Sequence, residues 1–254
     1  MSKLIRTDFH VHTKHSLCGH PDATPWAVVR AAQDAELEAV GITDHLVTPI
    51  NFDRPRLVRE ELPEEPDDLR VYVGGEAEMH ARDKPSISRE FAASLDLVVF
   101  SASHLHNIGP HVLHGLELAE MVSLILDLMW GAIETGYADI IAHPFHVPDC
   151  RFPFAELVGA ADEVELMRIA ETAAETGVAM ECNPRFLRAA PEAATWLFQR
   201  FLEAGCKLSI ASDSHHPRGV GCRGPEFATE DELRAIGITE ECLLRIEERV
   251  TRAS

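Results

Sequence analysis

The sequence predicts a parallel α/β fold, a TIM-like barrel with seven strands built as one domain over residues 1–254. Short, almost continuously apolar runs alternate with helical stretches, as strands buried on both faces of a parallel sheet do. Most of those runs stop at a histidine or a carboxylate. Side chains so far apart in sequence share a site when parallel strands lie side by side and end at the same edge. The length, 254 residues, suits one such barrel.

In chain order, strands are expected at roughly residues 4–10, 39–43, 70–77, 95–101, 139–142, 178–182 and 207–211. The run from Leu4 leads into Asp8, His10 and His12, and Ala39-Val-Gly-Ile-Thr43 leads into Asp44 and His45. Val71-Tyr-Val-Gly-Gly75 is closed by Glu76, Leu97-Val-Val-Phe100 is followed by His104, and Ile140-Ile-Ala142 by His143. The sixth run ends in Met180-Glu-Cys-Asn183, and the seventh, Leu208-Ser-Ile-Ala-Ser212, in Asp213 and His215. Helices are expected over Pro25 to Ala35, Leu116 to Thr135, Ala161 to Thr176 and Glu192 to Glu203, with Gly136, Gly177 and Gly205 as left-handed stops before the next strand. The proline-rich, acidic stretch Asn51 to Asp68 reads as a surface excursion after the second strand, because the third strand resumes at once.

Composition narrows the function. Hydrophobic residues at 46% supply a large core and charged residues at 26% a solvated surface. With 23 basic against 42 acidic residues the net charge is −19, and no basic run offers a phosphate-tracking surface, which argues against long nucleic acid as a partner. Six cysteines without a C-x-x-C pair indicate neither a disulfide framework nor a zinc knuckle, and a cytoplasmic location fits best. No stretch has the length of a signal peptide core or a membrane span.

Imidazole and carboxylate together suit divalent metals. His10 and His12 sit two apart on a strand and so point to one side, able to ligate one ion together. Asp213 and His215 repeat that spacing. Glu76 follows two glycines, where a metal or substrate could approach the backbone, with Glu78 as its competitor. Asp44 beside His45 is more often a capping acid than a ligand. Each placement alone is weak. Their repetition at strand after strand is what points to a metal cluster.

Four segments in order, Asp8-Phe-His10-Val-His12-Thr13, Thr43-Asp44-His45, Ala142-His143-Pro144 and Ser212-Asp213-Ser214-His215, resemble the motifs of the polymerase and histidinol phosphatase (PHP) superfamily of metal-dependent phosphoesterases. With Glu76 and His104 the resemblance runs from residue 4 to about 220. It implies a distorted (β/α)7 barrel with two or three divalent ions at the C-terminal strand ends. His10, His12, Glu76 and Asp213 would hold the first ion, and Glu76 would bridge to a second held by His104 and His143. His45 and His215 would hold a third with a ligand from the loop after the first motif. Similar enzymes often carry that extra imidazole eight residues after the first motif histidine, where this chain has Cys18. The expected ligand is instead His20, in Cys18-Gly19-His20-Pro21-Asp22, with Cys18, His15 and Asp22 as alternatives.

The resemblance also implies an arginine from the loop after the sixth strand as partner of the substrate phosphate, Arg188 ahead of Arg185. The activity implied is hydrolysis of a small phosphorylated metabolite, with zinc, manganese or iron as cofactor and Asp213 or His215 carrying protons. A metal-dependent amidohydrolase also begins with H-x-H but normally shows a metal-bridging lysine from a middle strand, which is lacking here. A nuclease is opposed by the charge. A non-catalytic, metal-stabilised barrel would need fewer ligands than this chain retains.

Overall fold

The first strand, β1 (Thr7–Val11), begins after its apolar run does: Leu4 and Ile5 are buried, but their amides donate to the Glu230 carboxylate at 2.8 and 3.0 Å rather than to a neighbouring strand. The computed structural model describes residues 3–62, 68–106, 108, 110–148 and 150–246. After β1 the strands are β2 (Ala39–Ile42), β3 (His45–Leu46), β4 (Arg70–Val73), β5 (Gly75–Ala81), β6 (Lys84–Pro85), β7 (Val98–Ser101), β8 (Ile140–Ala142), β9 (Ala179–Cys182) and β10 (Leu208–Ile210). The helices are α1 (Pro25–Asp34), α2 (Arg54–Glu61), α3 (Arg89–Ala92), α4 (Pro110–Leu113), α5 (Leu118–Glu134), α6 (Phe154–Gly159), α7 (Glu163–Thr176), α8 (Pro184–Ala189), α9 (Pro191–Glu203) and α10 (Glu230–Ala235).

All neighbouring strands pair in parallel except β6, which folds back antiparallel on β5. The order is β1-β2-β4 in one sheet and β10-β9-β8-β7-β5-β3 in the other. The third expected strand is broken in two at Gly74, and the second, which ends near Thr43 as expected, is followed after Asp44 by the short β3; β2 pairs with β4 before these breaks and β3 with β5 after them. Backbone bonds cross the breaks, from Thr43 N to Val11 O (2.9 Å) and from Gly74 N to Ile42 O (2.9 Å). The two glycines before Glu76 serve this strand packing rather than ligand approach: a Cβ on Gly74 would stand 2.1 Å from the Leu97 carbonyl oxygen, and one on Gly75 2.0 Å from Leu46 Cδ1.

Between β10 and β1 there is no ladder. They meet through one parallel bridge, Val11 to Ser214, where His12 N donates to Ser214 O at 2.9 Å. Asp8 ties the same seam: Oδ1 accepts from Ser212 N at 3.0 Å and Oδ2 from Gly221 N at 2.8 Å. The result is a mostly parallel α/β sheet in two hydrogen-bonded pieces.

Both faces of the strands are buried. Along β7, Val99 packs with Phe9, Leu97, Ile140 and Ala179 in a small cluster, while Val98 and Phe100 join the large cluster that includes Met121, Ile125 and Met129 of α5. Gly177 closes α7 at φ 74°, and Gly136 and Gly205 take the same left-handed conformation, as expected of helix stops. In the stretch read as a surface excursion, Arg54–Glu61 form α2, started by Pro55 in the first turn and braced by Arg56 on Glu60 at 2.6 Å. Residues 63–67 of that stretch lie outside the described ones. Among the described residues no helix is long and apolar enough to cross a membrane.

Candidate metal centre

Glu76 is the hub of the strand ends. Fully buried on β5, it directs Oε2 toward His10 Nε2 (3.4 Å), His12 Nε2 (3.5 Å) and His45 Nδ1 (2.7 Å), and Oε1 toward His104 Nδ1 (3.3 Å) and His143 Nε2 (3.1 Å). Asp213 Oδ1 approaches His12 Nε2 at 3.2 Å and His10 Nε2 at 3.8 Å, and the two Nε2 atoms stand 3.1 Å apart. Two nitrogens bonded tetrahedrally to one zinc are about 3.3 Å apart. The spacing therefore fits atoms arranged around a common ion. His45, Glu76 and His104 form a second such group, and His12, His45 and His215 a third, each with its ligand atoms within 4.8 Å of one another.

Four of these atoms, Glu76 Oε2, His45 Nδ1, His104 Nδ1 and Asp213 Oδ1, are buried without a hydrogen-bond partner among the described residues. They are close to one another, but their geometry is not that of hydrogen bonds. Each buried polar atom left unpaired costs about 1–3 kcal/mol, so an ion-free centre carries a penalty of several kcal/mol that a divalent cation would remove.

Neighbouring side chains aim the rings. His10 Nδ1 contacts Glu181 Oε2 at 2.7 Å, which turns Nε2 inward. Ser16 Oγ donates to Asp44 Oδ1 at 2.6 Å and lies 3.4 Å from His12 Nδ1, so it is placed to accept a proton from that ring and leave Nε2 free. Asp44 is thus a brace, also accepting from Thr13 N (2.8 Å) and Thr13 Oγ1 (2.6 Å). His143 and Asp213 have φ of 24° and 50°, a conformation costly for non-glycine residues and concentrated at functional sites.

The electrostatics follow. Burial pushes Glu76 up, but the charges of His45, His104 and His10 hold it well below the usual carboxylate range; Asp213 is lowered by His12 and His10 in the same way. Burial lowers His12, to about 3, and His104, leaving neutral rings ready to ligate. Burial opposes the charged form of His45 as well, but Glu76 raises it to about 10; His10 and His143 are raised by their carboxylate neighbours.

At the rim the structure places the expected residues apart from the strand-end cluster. His20 is half-exposed and turned away: its ring lies 4.5 Å from that of His216, and its Nδ1 accepts from Asp22 N at 3.1 Å. His15 instead pairs with Glu61 at 3.2 Å. In the same loop Cys18 is exposed; burial pushes its thiol up, but the rings of His215 and His45 bring it down to about 6. Arg185 and Arg188 stand not on a loop but on α8, which Asn183 caps by accepting from Arg185 N, with Pro184 in the first turn. Arg188 does not fold over the mouth, because its guanidinium is held by Glu232 of α10 at 2.9 Å. Arg185 faces the centre, with Nη2 on Ser212 O at 3.1 Å and Nε buried and unpaired. Glu78 pairs closely with His106 rather than with the cluster.

Glu181 was missed. The signal for it was a lone carboxylate inside the apolar run Ala179-Met-Glu-Cys182, all four residues of which are buried. No protein-family model matches the chain. A curated relative from Deinococcus radiodurans, named "Probable histidinol-phosphatase", is 29% identical over 252 residues, 91% of this chain and 93% of its own. The structure of histidinol phosphate phosphatase from Lactococcus lactis, solved with zinc, L-histidinol and phosphate, shares the fold at a TM-score of 0.62 and 17% identity, over 92% of this chain and 93% of that one. A candidate histidinol phosphatase from Listeria monocytogenes does so at a TM-score of 0.55 and 14% identity, over 85% and 97%. These likenesses bear out the resemblance to the PHP superfamily carried by the four motifs.

Proposed function

We propose that this histidinol-phosphatase-like chain is a metal-dependent phosphomonoesterase acting on a small phosphorylated metabolite, its strands forming a distorted (β/α)7 barrel in one domain. The observation that carries the reading is the convergence of buried, unpaired ligand atoms on Glu76, with Oε2 facing His10, His12 and His45 and Oε1 facing His104 and His143. His10, His12, Glu76 and Asp213 would hold one divalent ion; Glu76, His104 and His143 a second; His45 and His215 would contribute to a third. Mixed nitrogen and oxygen donors suit zinc, manganese or iron. Bound there, such ions would neutralise phosphate charge and lower the pKa of a water.

The remaining work falls to the chain. Arg185, with an unpaired Nε and its guanidinium beside Ser212, would hold a phosphate oxygen, in place of Arg188. His215, part-buried at the rim with Nδ1 3.0 Å from the Asp213 carbonyl oxygen, would pass a proton to the leaving alkoxide, with Asp213 as the alternative carrier. Glu181 and the Ser16–Asp44 pair would keep His10 and His12 from rotating away. The relative's name and the L-histidinol and phosphate in the Lactococcus structure make histidinol phosphate the first substrate to test. The zinc- or manganese-loaded chain is expected to release inorganic phosphate from it, or from a panel of small phosphomonoesters. Turnover of amides or cyclic ureides with no phosphate release would overturn the assignment in favour of an amidohydrolase.

A further inference from the structure

We propose that His106, anchored by Glu78, is a substrate-contacting residue that donates from Nε2 to a phosphoryl oxygen, one step outward from the metal-facing rings. The inference rests on the phosphomonoesterase reading above and adds a contact that the four sequence motifs do not contain.

Two acids on β5 face two imidazoles of the segment that follows β7. Glu76 Oε1 stands 3.3 Å from His104 Nδ1, and two residues further along each segment Glu78 Oε1 pairs closely with His106 Nδ1. Residues two apart on a strand point to one side and lie about 7 Å apart along it. The Glu78–His106 pair is therefore a second rung, outside the Glu76–His104 rung in the direction in which the strands end. The His106 ring lies edge-on to those of His104 (5.0 Å) and His45 (5.6 Å), both members of the metal-facing set.

The two rungs differ in what they leave open. His104 is buried, whereas the His106 side chain is 45% exposed and its Nδ1 bond to Glu78 leaves Nε2 without a partner among the described residues. Glu78 itself is only 1% exposed, and its Oε2 is buried and unpaired among the described residues. A carboxylate buried so deeply is costly unless a cation matches it. As that cationic partner, the His106 ring presents a charge-assisted donor outward. Between the two histidines, buried Leu105 has φ 57°, a left-handed conformation costly for a non-glycine residue and concentrated at functional sites. The strained turn sets both rings against β5. A phosphoryl group bound at the inner rung has oxygens left over, and His106 and Arg185 hold them from different strands.

The probes are inorganic phosphate and histidinol phosphate, with the zinc-loaded, full-length chain. His106→Ala should weaken the binding of inorganic phosphate, read by calorimetry, and lower kcat/KM by about 10²-fold, the scale of one lost donor to the transition state, with ions per chain unchanged. His106→Gln, which keeps a donor near the position of Nε2, should recover part of both losses. Glu78→Gln, which removes the anchoring charge, should fall between the parent and His106→Ala. Unchanged phosphate affinity and turnover in His106→Ala would overturn the assignment. So would a loss of bound ions in that variant, which would make the ring a brace of the centre, or a Gln variant no better than Ala. In each of these cases the phosphomonoesterase reading stands on the parent's own activity. A parent that takes up zinc but neither binds nor releases phosphate would overturn both readings.

Discussion

The strand-end half of the centre and its loop-borne rim are built differently. His10, His12, Glu76, His143 and Asp213 leave strands or their first following residues, are buried, and converge as the sequence pattern implies. His20, Arg185 and Arg188 are carried by a loop and a short helix, and there the pattern does not set direction: the His20 ring lies against His216 and Arg188 pairs with Glu232, while Arg185 reaches the Ser212 carbonyl oxygen. A strand fixes direction through its two-residue period. A loop fixes it through bonds to distant residues, such as Asp44 and His215, that local sequence does not specify.

The largest effect is expected at the strand-end hub. Glu76→Ala should remove the shared carboxylate of two ions and lower kcat/KM by about 10³-fold or more, with bound metal falling in parallel. A variant retaining full metal and activity would show that the hub is structural only. His10→Ala combined with His12→Ala should likewise abolish one ion and nearly all turnover.

The rim gives the next test. Arg185→Ala should lower kcat/KM by about 10²-fold at unchanged metal content, the scale of one lost donor to the transition state. Arg188→Ala should change it by less than about threefold, under 1 kcal/mol. The reverse ranking would mean that the Arg188–Glu232 pair opens in solution and that the sequence-based preference was right.

Most of the metal-facing set was legible because it recurs at strand ends, and the parallel α/β order was legible from apolar runs and glycine stops. The break at Gly74 and the short strand β3 beyond Asp44 were not, since a two-residue strand and a one-residue bend leave no periodic signal of their own. α8 is legible in principle, because Asn183 followed by Pro184 is a helix-start signal. Glu181 escaped because its role, holding His10 Nδ1, depends on a contact across 171 positions of sequence. Glu181→Gln should weaken the affinity for zinc by about 10- to 100-fold while leaving the fold intact, measured by competition with a chelator.

The smallest effect is on stability against pH. In the ion-free chain Glu76 raises His45 to about 10 against the opposing effect of burial. The stabilisation from that charged pair is fully present below the ordinary imidazole value of about 6.5 and is lost as pH rises through about 10. The ion-free Tm should therefore fall across this window. Added zinc should stabilise more as pH rises, because ligation needs the neutral ring. A flat ion-free profile would remove His45 from the electrostatic account.

The central claim, that the strand ends form a multinuclear metal centre around Glu76, is tested most directly by elemental analysis of the reconstituted, buffer-exchanged chain. Two to three divalent ions per chain are predicted, falling to about one or fewer in Glu76→Ala. Less than about one ion per chain in the parent under metal-replete conditions would contradict the account.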